Sequence, residues 1–245
     1  MISLIAALIP LSRAIAGDHA NLEEGLPTRV EDAYPVEYRA FEFQLLGRYE
    51  NLRNGPEDRF TVLPRLEWGF APNAQLRLAA PFYFGDADDT GSGNVQLEGF
   101  YNFNTESLTL PALALSLSAE LPTGENAVGV DTTLKFIATK TIGDEYLDRL
   151  HLNLSWSHKF DRDDDERQDR YGVILGYSRR LDPDTILVAD FIREQQLHEG
   201  FDSNIIEVGV RRQLDPQTVF SIGVGAGIGD DSPDFQLTMG LQRSF

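Results

Sequence analysis

Four side chains that could perform hydrolytic chemistry alternate along one short stretch of the chain. His151, Asn153, Ser155 and Ser157 follow one another at intervals of two residues, which places them on one face of a β-strand. A histidine beside serine hydroxyls is the pairing of general base and nucleophile that acyl hydrolysis uses. Whether the set can act in this way depends on which side of the strand faces the substrate.

Charged and polar side chains occupy equivalent positions elsewhere in the chain. The residues that we expect to line an interior are Glu98, Glu120, Lys135, His151, Asn153, Asp190, Glu207 and Arg211. Such a lining can close the interior as a salt-bridge network, or it can select solutes through rings of charge. The sequence leaves both alternatives open. Asp190, Glu207 and Arg211 fall on neighbouring strands, so the sequence predicts an ion pair among them.

The elements that must position these residues are twelve segments in which apolar and polar side chains alternate. Clusters of Gly, Asp, Asn and Pro separate the segments, and no comparable window shows a helical period. The pattern predicts an all-β, single-domain, antiparallel β-barrel of about twelve strands. The segments are Glu37–Glu50, Phe60–Phe70, Gln75–Phe84, Asn94–Phe103, Pro111–Leu121, Asp131–Thr141, Arg149–Phe160, Tyr171–Leu181, Ile186–Glu194, Asn204–Gln213, Thr218–Gly227 and Phe235–Phe245.

Segment length and connection length favour a transmembrane barrel over a soluble sandwich or a lipocalin-like barrel. A tilted strand of about ten residues crosses a bilayer. Long or charged connections such as Gly85–Gly93 and Asp161–Arg170 alternate with tight ones such as Ala71–Ala74, as in outer-membrane barrels. The apolar face then meets lipid and the polar set faces the lumen. A lipid-acting hydrolase needs its nucleophile on the lipid side, so His151 is expected to donate and accept hydrogen bonds in the lumen, and an enzyme is the weakest of the hypotheses.

The end of the chain supports the same interpretation. Met239, Leu241 and Phe245 belong to an alternating apolar series that ends in a C-terminal Phe. This series resembles the signal by which the barrel-assembly machinery recognises bacterial outer-membrane proteins. We therefore expect the bacterial outer membrane as the location, with lipid and lipopolysaccharide as neighbours.

Composition excludes several classes of function. The chain has 21 basic and 39 acidic residues, a formal net charge of −18, which argues against a nucleic-acid partner. It has no cysteine, which excludes thiolate metal sites, cysteine nucleophiles and disulfides. No cofactor and no metal site are predicted. The acidic run Asp161–Asp169 lacks the spacing of a calcium loop, and we expect a solvated external loop there.

The first 36 residues precede the predicted barrel. Residues 1–16 form a short apolar stretch that ends in Ala14-Ile15-Ala16, which predicts a signal peptide; its positively charged start is missing, which suggests a truncated beginning. Residues 17–36 are predicted to be a periplasmic lead or a lumen plug, and residues 37–245 the barrel.

Several motifs resemble an outer-membrane protein family named for the MetA pathway of phenol degradation. They are Ala119-Glu120-Leu121-Pro122-Thr123-Gly124, Asp131-Thr132-Thr133-Leu134-Lys135, Glu207-Val208-Gly209-Val210-Arg211, Gly223-Val224-Gly225-Ala226-Gly227-Ile228-Gly229 and the terminal Gly240-Leu241-Gln242-Arg243-Ser244-Phe245. The resemblance implies an outer-membrane β-barrel and passage of small solutes. Hydrophobic or aromatic solutes would suit the family name, which records a pathway and establishes no substrate. The leading hypothesis is a channel or transporter. The alternative is a structural barrel whose acidic loops bind cations or surface partners.

Overall fold

The computed structural model describes residues 18–52, 58–86, 90–125, 127–143, 145 and 147–245. Its strands form one closed antiparallel sheet, because the first strand pairs with the second on one side and with the last on the other. Two strands are interrupted, so the sheet has twelve barrel strands in chain order, as the sequence predicts. The predicted signal peptide, residues 1–16, lies outside the described residues.

The bounds of the twelve strands follow the alternating segments closely. They are β1 Phe41–Asn51, β2 Asp58–Ala71, β3 Ala74–Ala79 with Phe82–Gly85, β4 Gly91–Ser92 with Val95–Asn104, β5 Ala112–Leu121, β6 Asp131–Ile142, β7 Asp148–Lys159, β8 Asp169–Asp182, β9 Thr185–Gln195, β10 Asp202–Asp215, β11 Thr218–Gly227 and β12 Phe235–Ser244. The largest difference is at β1, which begins at Phe41 rather than at Glu37.

The interruption of β3 and β4 has a local cause. Pro81 has no N–H to donate to a neighbouring strand. Opposite it, the strand pairing lapses at Gly93 and Asn94, and the N–H of Gly93 donates to the carbonyl of Pro81 at 2.8 Å. Pairing resumes beyond the break, so β3 and β4 each remain one barrel strand.

Tight turns mark one end of the barrel. Three connections have only two residues, and two of these are built on the same Asp-Pro sequence. The carboxylate of Asp182 accepts the N–H of Asp184, and the carboxylate of Asp215 accepts the N–H of Gln217, each at 2.9 Å. Such bonds let aspartate fold a turn onto its own backbone. Since short turns lie on the periplasmic side of outer-membrane barrels, this end, which also carries Phe245, is the periplasmic end.

The outer surface is apolar and the inner surface is polar. Outward-facing leucines of the middle of the strands, such as Leu78 and Leu175, are about half exposed to the surroundings. Aromatic rings gather near both ends of the strands, as interfacial girdles do. They are Phe60, Phe84, Trp156, Phe160 and Tyr171 near the extracellular end, and Phe41, Trp68, Phe70, Tyr101 and Phe103 near the periplasmic end. A closed barrel with this surface belongs in the bacterial outer membrane.

Candidate functional site

The lumen of the barrel is occupied by the chain's own residues 18–36, called the inner segment below. Leu22, Leu26, Val30 and Ala33 of this segment are at most 1% exposed. Val36, at its C-terminal end, lies beside Gln75 near the periplasmic end. The segment forms no strand of the sheet; an isolated bridge between Glu23 and Leu26 is internal to it.

Side chains of the barrel wall bind the backbone of the inner segment at five points between Arg29 and Val36. The N–H groups of Arg29, Val30, Glu31, Ala33 and Val36 donate to Glu207, Asp190, Asn153, Thr139 and Gln75, at 2.8, 2.8, 2.9, 3.0 and 2.6 Å. In the reverse direction the amide of Asn153 donates to the carbonyl of Glu31 at 2.8 Å. A segment that is not in a sheet leaves some of its backbone groups without strand partners, and these contacts satisfy them in a site shielded from water.

The charged side chains of the lumen are connected through Arg77. Its guanidinium contacts Glu67 and Glu98 of the wall, and Glu23 and Glu31 of the inner segment at 2.8 Å each. Lys135 contacts Glu24 at 2.7 Å and Glu31 at 2.9 Å. Removing one partner of such a buried ion pair is costly, because the remaining charge stays in a poorly solvated site. The wall therefore holds the segment by charge as well as by backbone bonds.

Lumen-facing glycines make room for the inner segment. A Cβ atom at position 176 would lie 2.5 Å from Val30, and one at position 240 would lie 2.0 Å from Leu26. At positions 209 and 223 a Cβ would lie within 2.7 Å of an atom of Pro27. At Gly223 of β11 the inner segment thus occupies the space that a side chain would need.

Two apolar clusters complete the fit between wall and segment. Leu22 and Val30 pack against Ile186 and Val188 of β9. Ala33 packs in a second cluster with Phe100, Ala112, Ala114 and Ile137. Ile186 and Val188 of β9 thus face the lumen and are buried there by apolar side chains of the inner segment.

A vestibule of about 1000 Å³ lies above the inner segment and opens at the extracellular end. Its floor includes Glu24, Gly25 and Arg29 of the segment. Its walls carry acidic and basic side chains together with a few apolar ones. They include Leu46, Arg48, Leu63, Arg65, Glu98, Glu120 and Lys135. The vestibule thus extends from the extracellular end to the inner segment, which forms its floor.

The predicted lining residues divide into two groups. Glu98, Lys135, Asn153, Asp190 and Glu207 lie in the contact region of the inner segment described above, where all but Glu98 bind the segment directly and Glu98 binds Arg77. Glu120 lies in the vestibule and accepts a hydrogen bond from the amide of Gln96 at 3.2 Å. What the alternating pattern could not show is that their partners come from residues 18–36.

The predicted ion pair among Asp190, Glu207 and Arg211 is wrong. Asp190 and Glu207 are directly opposite each other in the β9–β10 register and bind backbone N–H groups of the segment. Arg211 instead donates to the carbonyls of His19 at 3.2 Å and Leu26 at 2.9 Å, and to the side chain of Gln242. The reason is physical: a guanidinium has five donors, and the segment presents free carbonyls nearer to it than either carboxylate.

His151 is buried and bonded on both ring nitrogens to hydroxyls. Nδ1 lies 3.1 Å from Oγ1 of Thr139, and Nε2 lies 3.0 Å from Oγ of Ser178. Ser178 was not singled out in the sequence, because its partner lies on the adjacent strand. A hydroxyl rather than a carboxylate orients the ring, and Thr139 also accepts the N–H of Ala33. The arrangement serves the packing of the segment.

Two acidic side chains of the loop between β7 and β8 contact basic side chains of the protein itself. Glu166 accepts from Lys159 at 2.6 Å and from the N–H of Asp163 at 3.0 Å, and Asp165 lies 3.1 Å from His198. Burial raises the pKa of Glu166, but the hydrogen bonds from Lys159 and from the N–H of Asp163, together with the charge of Lys159, hold the pKa below its ordinary value. At the other end of the barrel Met239, Leu241 and Phe245 all point outward and are 43–46% exposed.

One group in the described part of the chain has the donor geometry for a cation. Carboxylate oxygens of Glu23, Glu42 and Glu67 lie within 4.8 Å of one another. Arg77 binds two of the three carboxylates, so positive charge is already supplied there.

No helix long and apolar enough to cross a membrane is found among the described residues.

Comparison with known proteins places this architecture among outer-membrane barrels. The COG4313 outer membrane channel from Pseudomonas putida F1 superposes with a TM-score of 0.68 at 13% identity, over 87% of this chain and 98% of that one. The NanC porin gives 0.63 at 9% identity over 82% and 98%, and the KdgM porin 0.59 at 12% over 83% and 99%. At these identities the likeness shows the fold. No curated protein sequence matches the chain. The model of the family described as "Putative MetA-pathway of phenol degradation" matches residues 15–245, so the chain belongs to that family.

Proposed function

We propose that the protein is an outer-membrane channel for small solutes, and that the inner segment is a plug that leaves the lumen to open it. The observation that carries the proposal is the way the segment is held. The wall strands pair with one another without it, and its backbone is bound by wall side chains (Asn153, Asp190 and Glu207 among them). The segment can therefore depart without breaking a strand pairing of the barrel.

The vestibule supports the direction of transport and the size of the solute. A cavity of about 1000 Å³ that opens to the outside is within the range of sites for small molecules. The periplasmic half below it is filled by side chains such as Leu26 and Val30 that are nearly inaccessible to water. Solute entering from outside would thus meet the plug before it meets the periplasm.

A reversible lock provides the test. The chain has no cysteine, so a pair introduced as Val30→Cys and Gly176→Cys would be its only thiols. A Cβ at position 176 would lie 2.9 Å from Cβ of Val30, and a shift of about 0.6–1 Å brings the pair to the separation usual in disulfides. In planar bilayers the oxidised variant should be silent, and reduction should make the same variant conduct. Each single-cysteine variant is the control.

Deletion of residues 18–36 gives the complementary result. The shortened barrel should conduct steadily, because the wall retains its strand pairings. Conductance that is the same for the oxidised and the reduced double variant would overturn the plug. A barrel that is folded but silent even after deletion would overturn the channel and favour the structural barrel with acidic loops.

We also propose that the outward residues of β12 are read during insertion by the barrel-assembly machinery. Met239, Leu241 and Phe245 lie on one exposed outer face. Phe245→Ser keeps the backbone bond from its N–H to Phe41 but removes the terminal ring. The amount of heat-modifiable, folded barrel in cells should fall, whereas refolding of the purified variant in detergent should be unchanged. Equal amounts in cells would contradict the role.

A further inference from the structure

Two arginines at the floor of the vestibule differ from the other cations that line it. Arg29, Arg59, Arg77 and Lys135 each contact a carboxylate at 2.9 Å or less. Among the described residues, Arg48 Nη2 lies 4.0 Å from its nearest carboxylate oxygen, on Glu207, and forms no hydrogen bond. The Nε of the same side chain donates to the hydroxyl of Thr238 at 3.2 Å. Within the described ranges Arg65 has no carboxylate in ion-pair distance, and its one side-chain hydrogen bond is a 3.3 Å contact to Gln44.

The two guanidinium groups converge on one point above Gly25. A Cβ added to Gly25 would lie 3.4 Å from Nη2 of Arg65, 3.7 Å from Nη2 of Arg48 and 2.8 Å from Leu46. Gly25 has a φ of +80°, a conformation that other residues adopt rarely, so this position stays free of a side chain. The space kept open is bordered by two donors that carry positive charge.

Apolar side chains lie between the arginines. Leu46 and Leu63 are directly paired in the β1–β2 register and both line the vestibule. Arg48 is two residues from Leu46 on one strand, and Arg65 is two residues from Leu63 on the other. Since residues two apart share a face of a strand, the four side chains form one inward patch with an apolar centre and a guanidinium at each diagonal corner.

We propose that Arg48 and Arg65 bind the carboxylate of a small organic acid whose apolar body contacts Leu46 and Leu63. A carboxylate accepts charged hydrogen bonds of about 2.7–2.9 Å on both oxygens, so one group can bridge the two guanidiniums. The buried donors with few partners favour such a ligand, because an unpaired buried charge is costly. The inference rests on the proposed function, since it treats the vestibule as the place where solute enters.

Equilibrium binding to the refolded full-length protein tests it without any need for conduction. Benzoate is the probe, benzamide its neutral isostere and acetate its counterpart without an apolar body, measured by calorimetry or by ligand-observed NMR. Benzoate should bind at least tenfold more tightly than benzamide and than acetate. Arg65→Gln and Arg48→Gln should each weaken benzoate binding about tenfold or more. Arg65→Lys, which keeps the charge but loses the planar fork, should give an intermediate loss.

Matched controls separate the site from general electrostatics. Arg193→Gln removes the same charge from the extracellular end of β9, where the side chain is largely exposed, and should leave benzoate binding unchanged. Leu63→Asn should weaken benzoate and spare acetate. Equal affinity for benzoate and benzamide in the native protein, or an Arg65→Gln variant that is folded and binds normally, would overturn the proposal. Binding without conductance would refute the channel and leave this site intact, and conductance without binding would do the reverse.

Discussion

The closing of the lumen can be weakened at one residue, Asn153. Its side-chain oxygen accepts the N–H of Glu31 and its side-chain NH2 donates to the carbonyl of Glu31, and both residues are 2% exposed. Asn153→Ala leaves both backbone groups without a partner while the segment stays in place. Two orphaned polar groups cost about 2–4 kcal/mol together, which corresponds to about 30- to 900-fold in the equilibrium between the bound and the displaced segment.

Trypsin cleavage measures this equilibrium, because Arg29 is the single Lys or Arg of the inner segment. Its guanidinium is held by Glu194 in the closed barrel. The rate of cleavage after Arg29, followed by mass spectrometry, should rise by about the same factor as this equilibrium. The increase ends when the segment is displaced in every molecule. The conductance of the variant in planar bilayers should rise in parallel.

Asn104→Ala is the matched control. The side chain of Asn104 also binds backbone groups. Its NH2 group donates to the carbonyls of Thr105 at 3.0 Å and Pro111 at 2.8 Å, and its oxygen accepts the N–H of Leu113 at 3.2 Å, but these bonds lie within the wall and its adjoining turn. It should leave cleavage after Arg29 unchanged. If the two variants are cleaved and conduct alike, side-chain bonds to the backbone do not hold the segment and the reasoning fails.

Three further predictions concern packing, lipid contact and pH. Gly176→Ala should expose Arg29 to trypsin, because the added methyl meets Val30 at 2.5 Å, whereas Gly99→Ala, whose methyl would meet only Leu76 at 3.9 Å, should not. Leu175→Arg should lower the free energy of unfolding in vesicles by about 2–4 kcal/mol, and Leu214→Arg near the periplasmic interface by about 0–1 kcal/mol; equal losses would contradict the membrane position. Burial raises the pKa of Glu106, but hydrogen bonds from Lys140 and Thr141 hold it below 4.5. A carboxyl group whose pKa is lowered on folding stabilises the fold above pH 4.5, and this stabilisation is lost as the pH falls through the lowered pKa. Glu106→Gln should therefore reduce the fall in unfolding free energy at acid pH and leave its pH dependence near neutrality unchanged.

The alternation of side chains was sufficient to predict the wall of the barrel. Twelve strands, their bounds within a few residues and the outward position of Leu175 or Met239 all follow from a period of two. The pattern works because each wall residue meets either lipid or the lumen. It could not show the break at Pro81, whose consequence depends on the residue placed opposite.

The contents of the lumen could not be predicted in the same way. Residues 18–36 have no period, because an extended segment bound by side chains needs no regular alternation. One signal was present: in β9, Ile186 and Val188 share a face with Asp190, which suits neither lipid nor water. Inward apolar residues of this kind indicate a protein partner in the lumen, and here that partner includes Leu22 and Val30. The partners of Arg211 lie about 185–192 residues away, so strand adjacency could not identify them.

The charge of the inner segment has a consequence for the open channel. Residues 18–36 carry five acidic side chains and one basic one, a net formal charge of −4. When the segment departs, Lys135 loses both of its carboxylate partners, Glu24 and Glu31. Arg77 loses Glu23 and Glu31 and keeps only its wall partners. Departure of the segment would thus unblock the lumen and at the same time make it more selective for anions. A reversal potential measured across this barrel would report where the segment is as well as which residues line the path.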